Sequence, residues 1–143
     1  MHLSKEQLDK IIIQENIKTL FQPIVSIKKK SIAGLEALSR GITDNILIPP
    51  DTLFDSADKF DVTHKIDNIC KKKAIKKFAA DFGDSKLLFL NIDVSGIDKG
   101  PMGISNTILG LSSLIKFSEE SHIKHENIVL EILESKIVNI EKL

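Results

Sequence analysis

The sequence lacks several features that common protein classes need. It carries no net charge, since 20 basic side chains balance 20 acidic ones, and a general DNA-binding surface needs a basic excess to neutralise phosphates. No stretch approaches the roughly 18 consecutive apolar residues of a membrane span. The segment from Met1 to Lys10 has no apolar signal core, and the single cysteine, Cys70, cannot form an internal disulfide. We therefore expect a cytoplasmic protein that neither spans a membrane nor binds DNA generally.

Arginine is equally scarce. All but one of the basic residues are lysine, and the exception is Arg40. Its planar guanidinium can grip a phosphate or a carboxylate with two parallel hydrogen bonds, which lysine cannot imitate. Arg40 is therefore a candidate contact for an anion, although chance would also explain a single arginine.

What the sequence does contain suits one folded unit. It has 143 residues, of which 42% are hydrophobic and 28% charged, which excludes a disordered tail and fits a single domain. Ser4 and Gln7 form a capping box, which predicts a first helix from Ser4 to about Glu15. This helix is either a linker from an upstream domain or a cap on the fold that follows.

Two neighbouring strands are predicted next. Residues 20–27 are apolar and β-branched around Pro23, which predicts an edge-type or irregular strand, and residues 32–38 are predicted to form a second strand. The polar connection between them is too short for a crossover helix, so the pair should be antiparallel. Residues 41–49 are predicted to be a loop.

The remaining sequence predicts alternating helices and strands. A short helix begins at Pro50, and Asp61 is a candidate cap for a longer one over residues 62–82. Residues 87–94 and 128–133 form apolar runs, typical of strands buried on both faces, on either side of a helix over residues 105–121. This order predicts a right-handed parallel unit. The lysines of the long helix form a solvated face or, alternatively, a phosphate-binding patch; they are Lys71, Lys72, Lys73, Lys76 and Lys77.

Three of these strands contain a polar residue in an otherwise apolar run. Glu36, Asn91 and Glu131 lie toward the C-terminal ends of their strands, where α/β sheets and barrels build active sites. Buried carboxylates on one sheet repel each other, and a hard divalent cation relieves that repulsion. The sequence thus points to a Mg²⁺, Mn²⁺ or Ca²⁺ site. Alternatively, each polar group meets water or a lysine at its strand end.

The motifs resemble those of the EAL domain family, which is named for the triplet that stands here as Glu36-Ala37-Leu38. The resemblance extends from about Leu20 to Ser135, and its motifs occur in the family's order. These motifs are Phe21-Gln22-Pro23-Ile24-Val25, Gly34 to Arg40, Ile48-Pro49-Pro50, Leu53-Phe54, Ala57-Asp58, Ile66-Asp67, Leu90-Asn91-Ile92 and Leu130 to Ser135.

The resemblance implies an activity and roles for five residues. EAL domains hydrolyse cyclic di-GMP, a bacterial second messenger, with Mg²⁺ or Mn²⁺. By position, Glu36, Asn91 and Glu131 resemble the family's metal ligands, while Gln22 and Arg40 resemble its substrate contacts. The implied fold is α/β, a partial (β/α)8 TIM-type barrel of EAL type, with the first two strands antiparallel and the later strands parallel.

The sequence also departs from the family pattern. Ser39 and Leu133 replace a usual Leu and Thr, and the family's paired Asp motif, catalytic Lys and last metal-binding Glu have no counterpart. Residues 1–18 are interpreted as the helix or linker and residues 19–143 as the N-terminal half of an EAL domain. We expect the 143 residues alone to be inactive. The alternative is a shortened, non-catalytic module that binds cyclic di-GMP or a partner domain, with open sheet edges that favour a homodimer.

Overall fold

The fold is a single sheet covered by helices on one face. A computed structural model of the chain describes residues 1–94, 97 and 99–132. Its elements are α1 (Lys5–Gln14), β1 (Ile17–Ser26), β2 (Ser31–Thr43), β3 (Ile46–Ile48), α2 (Pro50–Lys59), α3 (Thr63–Phe82), β4 (Leu87–Ile92), α4 (Pro101–Glu120), a 3-10 turn (His125–Asn127) and β5 (Ile128–Ile132). Among the described residues, no helix is long and apolar enough to cross a membrane.

The strands are ordered β1-β2-β4-β5, and the short β3 also pairs with β2. β1 and β2 are antiparallel, whereas β2 with β4 and β4 with β5 are parallel. The predicted mixture of antiparallel and parallel strands is therefore confirmed. α4 connects β4 to β5, as a parallel pair requires a crossover.

The first helix begins as predicted. The Ser4 hydroxyl accepts a hydrogen bond from the backbone N–H of Gln7 at 3.2 Å, and the Ser4 N–H donates to Gln7 Oε1 at 3.0 Å. These two bonds satisfy donors that a helix start would otherwise leave free. Leu8 and Ile11 are fully buried against residues of β1, α2 and α3.

The prediction of a loop over residues 41–49 is wrong. β2 continues to Thr43, turns through Asp44 and Asn45, and returns as β3, with Thr43 opposite Ile46. Both turn residues have positive φ, 50° and 61°, as a type I′ hairpin turn requires, and Asp and Asn tolerate that conformation.

The start of α3 also differs from the prediction. Asp61 has a φ of 55° and does not cap the helix; Val62 is the N-cap residue, and no side chain bonds to the first turn. The left-handed backbone at Asp61 turns the chain between α2 and α3, so its carboxylate is not placed as a cap. The predicted apolar stripe of α3 is largely confirmed, since Ile66, Ile69, Cys70, Ala74 and Phe78 are buried.

The outer face of the sheet packs against α3. Leu35, Ala37, Leu88 and Leu90 are buried in one cluster with Ala74, Ile75, Phe78, Leu114 and Ile123. Phe21, Phe78 and Phe82 form a group of rings with centroids 5.5–6.0 Å apart. Because successive strand residues point to opposite faces, this packing leaves Glu36 and Asn91 on the inner face.

The prediction that β5 is buried on both faces is wrong. Leu130 and Ile132 are 39% and 46% exposed, because α4 packs chiefly against α3 and covers little of this strand. Leu133, the last residue of the predicted strand, lies outside the described residues. β4 ends at Ile92, and α4 begins at Pro101, four residues earlier than the sequence indicates.

Candidate functional site

Three strands bring the predicted polar residues together on the inner face. The side-chain amide of Asn91 donates to Glu36 Oε1 with an Nδ2–Oε1 distance of 3.0 Å, although the two residues are 55 positions apart. Asn91 is also the register partner of Glu131 on β5. Glu36, Asn91 and Glu131 therefore form one group. Asn91 and Glu131 lie near the C-terminal ends of β4 and β5, as predicted, whereas Glu36 lies in the middle of β2, because β2 continues to Thr43 beyond its pairing with β4.

The hydrogen bond fixes the orientation of the Asn91 amide. Because Nδ2 donates to Glu36, the Asn91 oxygen Oδ1 remains as an acceptor. Burial raises the pKa of the Glu131 carboxyl, and the negative charge of Glu36 raises it further. Two carboxylates that repel each other beside an amide oxygen form an electronegative site.

This donor set fits a hard divalent cation. Carboxylate and amide oxygens are the ligands that Mg²⁺, Mn²⁺ and Ca²⁺ prefer, whereas zinc sites usually use His or Cys. Within the described ranges, no cluster of three or more His, Cys, Asp or Glu side chains could hold a metal ion. Glu36, Asn91 and Glu131 thus offer two acidic ligands and one neutral ligand.

The two predicted substrate contacts lie on either side of this group. Gln22 is exposed and stands directly opposite Glu36 in the β1–β2 register, so their side chains share a face. Arg40 follows Glu36 by four residues on β2, near Pro50 and Asp51 in the cleft wall. The Arg40 Nη1 donates to the backbone oxygen of Ser39 at 2.9 Å.

A cleft of about 530 Å³ opens beside these residues, between α2, α3 and the ends of β2 and β4. Arg40 and Asn91 line it, so the cleft reaches the group on the inner face. Its charged lining is mostly acidic: five aspartates, Asp51, Asp55, Asp58, Asp67 and Asp93, against Arg40, Lys71 and Lys99. Lys99 pairs with Asp58 across the cleft, and this contact raises the pKa of Lys99.

The sequence did not predict the place of Lys71. Lys71 is only 5% exposed and pairs with Asp67 one helical turn earlier in the cleft wall, so its assignment to the solvated face of α3 is wrong. Burial raises the pKa of the Asp67 carboxyl despite the opposing influence of Lys71, and Asp93 adds to the rise. The spacing of Asp67 and Lys71 was the available signal, since residues four apart share a helix face.

A sheet of antiparallel and parallel strands with helices on one face, and with two carboxylates and an amide grouped on the other, defines a mixed α/β protein. The chain belongs to the EAL domain family, whose model matches residues 5–142. A comparison with curated proteins finds no match in sequence.

Solved structures share the fold. The PaMucR phosphodiesterase in complex with cyclic di-GMP is 16% identical, with a TM-score of 0.73 over 95% of this chain and 53% of its own. The Xanthomonas citri FimX EAL domain, in complex with cyclic di-GMP, is 17% identical, with a TM-score of 0.70 over 92% of this chain and 49% of its own. The Bacillus subtilis YkuI protein, in complex with its substrate cyclic di-GMP and calcium, is 22% identical, with a TM-score of 0.66 over 94% of this chain and 33% of its own.

These structures confirm the predicted fold, a partial (β/α)8 TIM-type barrel of EAL type. The chain spans about half the length of the PaMucR and FimX structures and a third of YkuI.

Proposed function

We propose that this chain is the N-terminal portion of a bacterial cyclic di-GMP phosphodiesterase and supplies part of a metal-dependent site. The observation that carries the proposal is the convergence of Glu36, Asn91 and Glu131 from three strands, with Asn91 and Glu36 joined at 3.0 Å. Membership of the EAL domain family supports the substrate class. A cytoplasmic location would suit such a substrate.

Each residue has a distinct task in this proposal. Mg²⁺ or Mn²⁺ would be held by the carboxylates of Glu36 and Glu131 and by the Oδ1 of Asn91. The hydrogen bond from the Asn91 amide to Glu36 orients the oxygen donors of these two residues. Held by these residues, such a cation would supply charge neutralisation and a lowered pKa for water at the phosphodiester. Gln22 and Arg40 would bind the nucleotide, with the guanidinium taking two phosphate oxygens. A phosphate would otherwise be repelled by the acidic cleft, so a cation is needed for it to bind.

The test uses cyclic di-GMP itself. We expect the 143 residues alone to bind it in the presence of Mn²⁺ without hydrolysing it, because two carboxylates and an amide leave the site incomplete. In an active protein that contains this sequence, Glu36→Ala should lower kcat at least about a hundredfold, since a ligand is lost. An unchanged rate in that variant would refute the metal-ligand assignment, and turnover by the 143 residues would refute their inactivity.

A second candidate function is a non-catalytic module that binds cyclic di-GMP or a partner domain. The observation that favours it is the small number of acidic ligands that the described residues bring to the inner face. Nucleotide binding without hydrolysis in every protein that contains this sequence would support it. Exposed Leu130 and Ile132 at β5 would then favour edge pairing in a homodimer, and a stable monomer in sedimentation would count against such a dimer.

A further inference from the structure

An aromatic ring, that of Phe89, lies on the inner face next to the group of polar residues. Phe89 is the register partner of Glu36, but its ring leans back along the sheet over Gly34. A methyl group built at Gly34 would lie 2.6 Å from Phe89 Cε2 and 2.8 Å from the backbone oxygen of Leu87. Such distances are far below van der Waals contact, so only glycine leaves room for the ring.

The position of this ring restricts the carboxylate above it. Gly34 and Glu36 share a face of β2, and Phe89 and Asn91 share the same face of β4. Because the ring lies over Gly34, two residues before Glu36 on this face, it stands on the side of Glu36 away from Asn91. The Glu36 carboxylate points the other way, since its Oε1 accepts from the Asn91 amide at 3.0 Å.

We propose that Phe89, admitted by Gly34, is a positioning residue that holds the Glu36 carboxylate against Asn91 for cation binding. This inference rests on the proposed function, because it assigns the ring a task in the same site. Phe89 does not itself touch the cation or the nucleotide. Its contribution is to remove the downward orientations of Glu36, so that less conformational freedom is lost when a ligand binds.

The chain offers a matched control on the same strand. Gly41 is also crowded, since a methyl group there would lie 3.1 Å from Leu53 Cδ1 and 3.3 Å from Ile11 Cδ1. Those neighbours belong to the core on the other face of β2, away from the polar group. Gly34→Ala and Gly41→Ala both insert one methyl group into a packed region of β2, but only the first displaces the ring.

The experiment follows the Asn91 side-chain amide by NMR while Mn²⁺ is added to the 143-residue chain. In the wild type, the amide signals should broaden with added Mn²⁺, and Glu36→Gln should prevent this. We expect Gly34→Ala to raise the Mn²⁺ concentration for half-broadening on the order of tenfold, as loss of a supporting group typically does. Gly41→Ala should leave the Mn²⁺ concentration for half-broadening unchanged, even if it lowers the midpoint of urea unfolding as much as Gly34→Ala does.

A double-mutant cycle isolates the ring. Leucine has no atom equivalent to Cε2, so Gly34→Ala should raise the half-broadening concentration less in Phe89→Leu than in the wild type. The clash of the new methyl group with the Leu87 oxygen occurs with either residue at position 89, and it therefore cancels in the cycle. Equal effects of Gly34→Ala in the two backgrounds would overturn the proposal. If Gly34→Ala does not fold, Phe89→Leu alone carries the test, and wild-type half-broadening in that variant would overturn the proposal.

Failure of the proposed function has a different signature. If Mn²⁺ leaves the wild-type Asn91 signals sharp, the metal site is wrong, whatever the variants do. The positioning role is then judged without metal, from the chemical shift of the Asn91 amide protons that donate to Glu36. A shift in Gly34→Ala and Phe89→Leu, but not in Gly41→Ala, would support it, and unchanged shifts in all three would refute it.

Discussion

The two faces of the sheet differ in what their side chains contact. On the outer face, Leu35, Ala37, Leu88 and Leu90 are at most 8% exposed and pack against α3. On the inner face, Glu36, Phe89, Asn91 and Glu131 are half-buried, and their polar groups interact with one another. Strand alternation thus assigns neighbouring residues such as Leu35 and Glu36 to different tasks.

This division means that stability and function can be changed separately. Removal of an apolar side chain from the outer face should destabilise the fold, because it leaves a cavity in a closely packed cluster. Neutralising a carboxylate on the inner face removes repulsion between like charges and costs little packing. The following predictions test this division, from the largest expected effect on unfolding to the smallest.

The largest effect should come from Phe78, which is fully buried beneath the outer face and contacts two other phenylalanine rings. We expect Phe78→Ala to lower the free energy of unfolding by about 4 kcal/mol, measured by urea denaturation. A loss below about 1 kcal/mol would contradict the view that the outer face carries the stability.

The second-largest loss of stability should come from Lys71, because this lysine is buried in the cleft wall, where it pairs with Asp67. Lys71→Met removes the partner of the buried Asp67 carboxylate, and we expect it to cost about 3 kcal/mol near neutral pH. Asp67→Asn with Lys71→Met should recover much of that loss, because no uncompensated charge then remains. A double variant no more stable than Lys71→Met would contradict this explanation.

The pH dependence of the same pair has a definite sign. Burial raises the pKa of Asp67 in the folded protein, so the folded state binds this proton more tightly than the unfolded state. The free energy of unfolding should therefore fall as pH rises from the ordinary carboxyl pKa through the folded pKa of Asp67. Asp67→Asn should remove this part of the pH profile, and an unchanged profile would show that Asp67 does not titrate with a raised pKa.

The smallest effect on stability should come from the inner face. Glu36→Gln keeps the size of the side chain and an acceptor for Asn91, while it removes the charge that repels Glu131. We expect the free energy of unfolding to change by less than about 0.5 kcal/mol. The same variant should abolish Mn²⁺ binding. A large loss of stability would show that Glu36 is a structural residue, and the separation of the two faces would then be wrong.

Local sequence signals predicted much of the fold, and they failed where distant contacts decide the structure. The Ser4 capping box and the apolar stripe of α3 depend on residues close in sequence, and both are present. The burial of Lys71 depends on the packing of α3 against α4 and on Asp67. The hairpin at Asp44 and Asn45 had a local signal in its residue types, which tolerate positive φ, but residues 41–49 were predicted to be a loop.

The candidate site was predictable as a set of residues but not as a geometry. Alternation within each strand placed Glu36 and Asn91 on one face, while their contact across 55 residues depends on the parallel pairing of β2 with β4. The close approach of Phe89 to Gly34 is likewise a consequence of that pairing. No spacing within either strand indicates it.

The most direct test of the central claim is a crystal structure of the chain grown with Mn²⁺ and cyclic di-GMP, in which anomalous scattering locates the metal. We predict one Mn²⁺ ion coordinated by oxygens of Glu36, Asn91 and Glu131, with a nucleotide phosphate beside it and near Arg40. A nucleotide bound elsewhere, or Mn²⁺ absent from these three side chains at saturating concentration, would contradict the account.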